Sequence, residues 1–453
     1  MDSPARIETW SSSFAFYLSV AGAAIGLGTV WRFPFLVGQH GGLFVLVFIV
    51  ACLVIAIPLL IAEFMLGRRD GPNVPLAAGR VAAASGRSPK WAAIGVLGTL
   101  AIFLIMTYYS VIGGWVLSYV AAYATGGAAD LDQAGLTARF NALLADPWRL
   151  TFWHAVFMGA TVTISAGGIQ RGIEVGNKIM MPGLFGILLG LGIYALYHGD
   201  AERAIAFLTE VDLTRLSGEL VLAAVGQAFF ATGVGMAIMI AYGSHVDART
   251  SLPRSATVVA LSIILASVLS SLLIFPLVFE TGVDPAQGPQ LAFIVMPSIF
   301  INMPGGALVG TLFFVLLAFA ALTSSIAGLE PAGAWLMERS GMKRVPAIAL
   351  IAAAAWVLGL ATVFSFNYWS DVHPLAAVER FRTATIFDLT DFFASNLLLP
   401  VGALLTSLLV GWRLDRKVVD EEFGGHGAMG AMLIVLLRYV CPIAIAGVLV
   451  GAM

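Results

Sequence analysis

Apolar residues run along this chain in blocks of about twenty, with short polar stretches between them. A helix needs about 20 mostly apolar residues to cross a bilayer. Eleven blocks approach that length, at about 13–37, 42–66, 91–124, 151–166, 174–197, 220–245, 255–279, 306–337, 345–366, 384–411 and 429–451. The pattern predicts an all-α polytopic membrane protein with about eleven transmembrane helices, the fourth of them short.

Two blocks are interrupted. In the first, GAAIGLG (Gly22–Gly28) is followed by TVWRFP (Thr29–Pro34), which sets three glycines, an arginine and a proline at membrane depth. Each Gly costs a helix about 1 kcal/mol relative to Ala, and Arg at a helix centre costs about 2.5–3.5 kcal/mol on insertion scales. A broken helix is therefore expected. Broken helices persist at that depth only where the freed amides and carbonyls face protein or a watery cavity. In the sixth block, QAFFATGVGM (Gln227–Met236) again mixes glycines and a hydroxyl with apolar residues. Blocks one and six correspond if the first ten form two repeats of five, about 11–197 and 220–411, with an extra helix at about 429–451. Irregular segments at matching places in two halves point to the binding site of an inverted-repeat transporter. No residue-level identity links the halves, no linker divides the chain, and a single transmembrane domain over 1–453 is the economical reading. The stretch from Pro285 to Gly306 is amphipathic and too rich in proline to span, so a re-entrant lid is expected there.

Composition agrees. The chain is 59% hydrophobic and 11% charged, against about 25% charged in soluble proteins. With the N-terminus inside, sixteen of the 24 Lys and Arg fall on the inner side, six fall outside, and Arg32 and Arg438 lie within spans. The excess sets the N-terminus in the cytoplasm and, after eleven spans, the C-terminus outside. The charges are sorted by side rather than gathered in a patch, so no nucleic-acid partner is indicated. Residues 1–10 lack a basic region and a cleavage site, and no cleaved signal peptide is expected. Cys52 and Cys441 fall in apolar spans and suggest neither disulfide nor metal chemistry.

Chemistry concentrates in few residues. Thr323, Ser324 and Ser325 put hydroxyls inside the eighth span, and hydroxyl and carbonyl oxygens suit a monovalent cation. Such hydroxyls also bond back to carbonyls four residues earlier; facing the first break, the ion reading is the better one. Arg32 in the first span and Asp388 and Asp391 in the tenth are buried ionisable groups, and the two acids share a helix face. An Arg–Asp pair between these spans would close an outer vestibule; a permanent structural ion pair is the alternative. Glu63 is either interfacial or an acceptor for unwound amides. Tyr108, Tyr109, Phe230 and Met236 line a pocket or simply pack. No catalytic set, zinc spacing or nucleotide loop is visible, and His40, His154, His198, His245, His373 and His426 are scattered, so an enzyme is not indicated.

AIGLGTVWRFP (Ala24–Pro34), GGLF (Gly41–Phe44), IPLLIAEFMLG (Ile57–Gly67), GQAFF (Gly226–Phe230) and LTSSIA (Leu322–Ala327) together resemble the neurotransmitter:sodium symporter family over nearly the whole chain, in its bacterial amino-acid branch (LeuT- and MhsT-like). The resemblance implies a LeuT fold with a 5+5 inverted repeat and helices 1 and 6 broken. It also implies alternating access and sodium-driven import of an amino acid across a bacterial inner membrane. One sodium site is implied at the carbonyls of Gly22, Ile25 and Ala320 and the hydroxyls of Thr323 and Ser324. The second sodium site is degenerate, with Thr29, Ala231 and Ile263 where the family has Asn, Thr and Asn. Phe48 replaces the chloride-site tyrosine, although Gln227 and Ser267 remain. One coupled sodium and no chloride are therefore expected.

The implied substrate pocket comprises Ala24, Gly26, Gly28, Ile105, Tyr109, Phe230, Thr232, Gly233, Met236, Ser324 and Gly328. Gly26 replaces the amine-binding Asp of monoamine carriers, which favours a free amino acid. Gly233 and Gly328 should enlarge the pocket for an apolar or aromatic side chain. Arg32, Asp391 and Phe230 match the outer gate. Arg6, Trp10 and Glu338 match the inner gate, and Gly172 and Pro182 match an element of the fifth span that unwinds. A carrier of another small carboxylate, a proton-coupled carrier, and a non-transporting receptor or leak channel stay open as alternatives.

Overall fold

The computed structural model describes residues 8–127, 131–282, 291–424 and 427–452, and the regular structure in them is helical. Arg6, His426 and the Pro285–Pro289 part of the expected lid lie outside the described residues. Helices α1 (Ser13–Ala24) and α2 (Gly28–His40) form the first span and meet at 62°. Next come α3 (Gly42–Asp70), the short α4 (Val74–Ala84) and α5 (Pro89–Ala124). After α6 (Gln133–Ala145) follow α7 (Pro147–Ser165), α8 (Ile169–His198) and α9 (Ala201–Thr209). The sixth span is split into α10 (Gly218–Thr232) and α11 (Ile238–Gly243). The remainder are α12 (Leu252–Thr281), α13 (Leu291–Ile301), α14 (Gly306–Ser340), α15 (Arg344–Ser365), α16 (Ile386–Arg413), α17 (Arg416–Glu422) and α18 (Ala428–Ala452).

All eleven predicted blocks are helical. Among the described residues, eight helices, or nine with the bent α1–α2 pair counted as one span, are long and apolar enough to cross a membrane on their own. The other two blocks are α7, which carries Arg149 and His154 within 19 residues, and the interrupted α10–α11. The lid expectation changes in character. Leu291 to Pro297 are all buried, so α13 is not amphipathic, and Phe293 packs edge-on against Trp115 and Tyr119.

Both breaks free backbone groups. In a continuous helix the amide of Gly26 would bond to Gly22 and that of Thr29 to Ile25. Here Ile25 leaves the helix at φ −82°, ψ 82°, the Gly26 amide turns to Ala24 O (3.0 Å), and the Thr29 amide turns to Gly26 O (3.0 Å). The carbonyls of Gly22 and Ile25 thereby lose their helical partners. In the sixth span the chain passes through Gly233 (φ +67°), Gly235 (φ +86°) and Ala237 (φ +59°), the one non-glycine residue with positive φ among those described. Gly235 needs to be glycine twice over, since a Cβ there would also strike Leu399 O. Its amide donates to Glu63 Oε1 at 2.7 Å, and Glu63 is 1% exposed. Of the two readings of Glu63, the acceptor for an unwound amide is the one realised.

Packing sets these breaks at the centre. α14 lies between α5 and α8, while α1 packs on α8, α12 and α14. Outward faces leave Ile179, Ile193, Leu358 and Ile443 exposed, as a lipid-facing surface requires.

Candidate functional site

Between the two breaks lies a cavity in which the centre of a water molecule can explore about 50 Å³. Ala24, Gly26, Gly28 and Thr29 line it from the first break, and Phe230, Ala231, Gly233 and Met236 from the second. Helix α5 contributes Ile102, Ile105, Met106 and Tyr109, and α14 contributes Ser324. A Cβ on Gly26 would stand 2.6 Å from Ser324 Oγ and 2.8 Å from Tyr109 Oη, so no side chain fits there. The Phe230 ring lies directly on Gly28, where a Cβ would overlap it. Tyr109 Oη accepts the Leu27 amide at 3.1 Å, which pins the non-helical turn to α5.

Thr232 and Gly328 do not line the cavity. Thr232 is fully buried and donates to Ala228 O at 2.7 Å. Gly328 faces Met106, whose Sδ would be 2.7 Å from an added Cβ. The room that glycine leaves is filled by a thioether, so Gly328 does not enlarge the pocket.

Oxygen atoms with spare lone pairs occur in the first break and in the part of α14 that meets it. Besides the freed carbonyls of Gly22 and Ile25, Ser324 Oγ lies beside the Tyr109 hydroxyl yet completes no well-formed hydrogen bond. Thr323 Oγ1 bonds back to Phe319 O (2.9 Å) and Ala320 O (3.1 Å), keeping its lone pairs for another partner. Buried oxygens without donors are costly in a membrane interior. A cation held by carbonyl and hydroxyl oxygens satisfies them, so the residues fit sodium.

At the positions where a degenerate second site is expected, the buried Thr29 hydroxyl has no partner, Ala231 offers only a methyl, and Ile263 is fully buried away from the cavity lining. Phe48 is buried against Phe33, with centroids 4.6 Å apart. Gln227 Nε2 donates to Gly28 O at 3.0 Å, and Ser267 Oγ is unpartnered.

Above Phe230 opens a vestibule with about 490 Å³ available to water centres, lined among others by Trp31, Arg32, Tyr108, Phe293 and Asp391. Arg32 and Asp391 do not form an ion pair. The guanidinium lies 4.8 Å over the Phe230 ring, while Asp391 Oδ1 accepts from Tyr108 (2.7 Å) and Ser395 (2.9 Å). The permanent-pair alternative therefore fails. Asp388 instead caps its own helix, accepting the Thr385 amide and hydroxyl at 2.8 Å each.

The opposite face, which carries residues 8–12, is shut. Trp10 is 7% exposed and donates Nε1–H to Tyr242 O at 3.1 Å. Glu8 accepts the amides of Ile169 and Gln170, Ser11 donates to Glu174, and Arg344 clamps Glu330 at 2.6 and 2.9 Å. Glu338 pairs with Arg80 at 3.0 Å, and that hydrogen bond holds the guanidinium above its ordinary pKa range. Gly172 sits in a wide π-type turn at the start of α8, against Ile164 O, and Pro182 lies inside the same helix.

A family model described as the sodium:neurotransmitter symporter family matches residues 7–128 and 141–413. The chain belongs to that family. This symporter is 35% identical to an uncharacterized sodium-dependent transporter of Bacillus subtilis (strain 168), over 96% of this chain and 95% of the relative. It is 33% identical to another such transporter of Haemophilus influenzae, over 91% of each. Its structure matches the crystal structure of MhsT in complex with L-phenylalanine at TM-score 0.89 and 36% identity, covering 98% of this chain and all of that one. The fold is thus the LeuT fold with helices 1 and 6 broken, and the symporter performs sodium-coupled transport.

Sequence reasoning missed Ile102 and Met106 in the symporter's cavity, although they precede Tyr109 by seven and three residues on one helix face. It also missed Ser395 as a partner of Asp391. Phe230, with Gly28 and Tyr109, lines both cavity and vestibule, and its ring is the one that lies over Gly28, so Phe230→Ala should join them. A cysteine at position 105, probed from the vestibule side with a charged thiol reagent, should react at least about tenfold faster in the Phe230→Ala background. The native thiols are buried and contribute little background. An unchanged rate would mean that Phe230 is not the barrier.

Proposed function

We propose that this symporter imports an apolar or aromatic amino acid with one sodium ion and without chloride. The freed carbonyls of Gly22 and Ile25, set against the hydroxyls of Thr323 and Ser324, carry the reading. Together with Ala320 O they supply uncharged oxygens suited to a monovalent cation. The substrate carboxylate would face the Tyr109 hydroxyl and the N-terminal end of α2, whose dipole favours an anion. The apolar lining from Ile102, Ile105, Met106 and Met236 suits an apolar side chain, and the MhsT structure holds L-phenylalanine. Loss of oxygens at Ala231 and Ile263 argues for a single ion.

The face carrying residues 8–12 is taken as cytoplasmic in a bacterial inner membrane, from the excess of Lys and Arg there. Two five-helix repeats, about 11–197 and 220–411, and the helix near 429–451 make one transmembrane unit. Alternating access moves between the shut inner face seen here and its counterpart, with Trp10, Glu338 and Arg6 at the inner gate, and Arg32, Asp391 and Phe230 at the outer.

Uptake of labelled amino acids into proteoliposomes after a sodium jump tests the proposal. Sodium-dependent accumulation with a Hill coefficient near one is expected, and Ser324→Ala should weaken sodium activation more than about tenfold. Equal uptake without sodium would sink the coupling, and a coefficient near two or a chloride requirement would sink the single-ion claim.

A further inference from the structure

Helix α8 presents one side chain to the first break that neither the sodium site nor the gates account for. Asn177 is fully buried, five residues after Gly172 and five before Pro182. Its Nδ2 donates to Ile173 O at 2.9 Å, one turn back, while its Oδ1 has no hydrogen-bond partner. That bond orients the amide, because the reversed orientation would set Oδ1 against the Ile173 carbonyl, acceptor to acceptor. Oδ1 consequently points at Gly22, where it is the first atom an added Cβ would strike, with Met181 Sδ 3.2 Å from the same position.

Gly22 is the residue whose carbonyl lost its helical donor. Two buried acceptors, the carboxamide oxygen and the glycine carbonyl, thus belong to adjoining residues, the first without a hydrogen-bond partner and the second without its helical donor. A buried acceptor without a donor is costly, and in a membrane interior a cation or a trapped water relieves that cost. Met181 contributes only a weak acceptor, and the site already argued for sodium adjoins the same glycine.

We propose that the Asn177 carboxamide oxygen is a further ligand of the sodium ion, supplied by α8 in addition to the oxygens of α1 and α14. The inference rests on the sodium site proposed above. It has a mechanical corollary: whatever draws α8 away from α1 removes an oxygen from the ion, so release is favoured by movement of that helix alone. It also gives Gly22 a reason to lack a side chain, since any Cβ displaces the amide.

Binding of radioactive sodium to the purified full chain in detergent, without substrate, tests this in wild type, S324A, N177A, N177L and N177D. N177A and N177L should bind sodium about tenfold more weakly, and N177D, which keeps the oxygen, should stay within about threefold of wild type. Should N177L fail to fold, judged by its melting midpoint in sodium-free buffer, N177A supplies the comparison. Wild-type affinity in N177A and N177L overturns the proposal and leaves a trapped water as the occupant. N177D as weak as N177A also overturns it, since the N–H bond to Ile173 O, absent from both variants, would then be what was lost rather than the oxygen. Failure of the underlying sodium site looks different: S324A would bind as wild type does, or wild type would not bind at all.

Discussion

Gly26→Ala is expected to abolish sodium-driven uptake in a protein that still folds and inserts. An added methyl at this position stands 2.6 Å from Ser324 Oγ and 2.8 Å from Tyr109 Oη, both well inside contact distance. Overpacking by one methyl costs about 1–3 kcal/mol, which a chain of this size tolerates. The functional cost is larger, because relief requires Ser324 or Tyr109 to move, and each is tied to the first break. Tyr109 holds the Leu27 amide at 3.1 Å, and displacing a positioned group by 1 Å can cost about a hundredfold in rate. Proteoliposome uptake should fall at least about a hundredfold with the melting midpoint little changed. Uptake within a few-fold of wild type would show that this crowding is not functional.

Glu63→Ala is expected to be the most damaging single change to stability among the polar residues of the core. The carboxylate is buried and accepts the Gly235 amide at 2.7 Å, in the middle of the second break. Truncation leaves that amide without a partner away from water and opens a void beside it, together about 3 kcal/mol or more. The melting midpoint in detergent should drop by about 3 °C or more. Glu63→Gln, which still offers an oxygen to the amide, should recover most of the loss. A midpoint for Glu63→Ala within about 1 °C of wild type would mean that Gly235 finds another acceptor and that Glu63 does not hold the break.

The breaks were legible in the sequence because the bilayer makes interruptions expensive, so Gly22–Pro34 and Gln227–Met236 stand out from their surroundings. Gly26, Gly28, Tyr109, Phe230 and Ser324 followed from those interruptions and from the family pattern. What escaped was contact between distant apolar residues. Gly328 read as open space, yet Met106 fills it, and on a helix apolar all round no face announces that Ile102 and Met106 look inward. Pairings of charge were equally hidden. Asp388 and Asp391 share a face in sequence, but one caps Thr385 and the other takes two hydroxyls. Glu338 meets Arg80, 258 positions away along the chain. Spacing along one helix cannot express such choices, because they depend on which neighbour another helix brings near.

Ala237, at the close of the second break, holds a left-handed backbone at φ +59°. For alanine that conformation lies about 1–2 kcal/mol above the right-handed one. An energy of that size shifts a two-state population about five- to thirtyfold. Any arrangement of the protein in which Ala237 rejoins a right-handed helix starts with that advantage over the present one. A single methyl outside the cavity lining thus helps set how the population divides between the two arrangements.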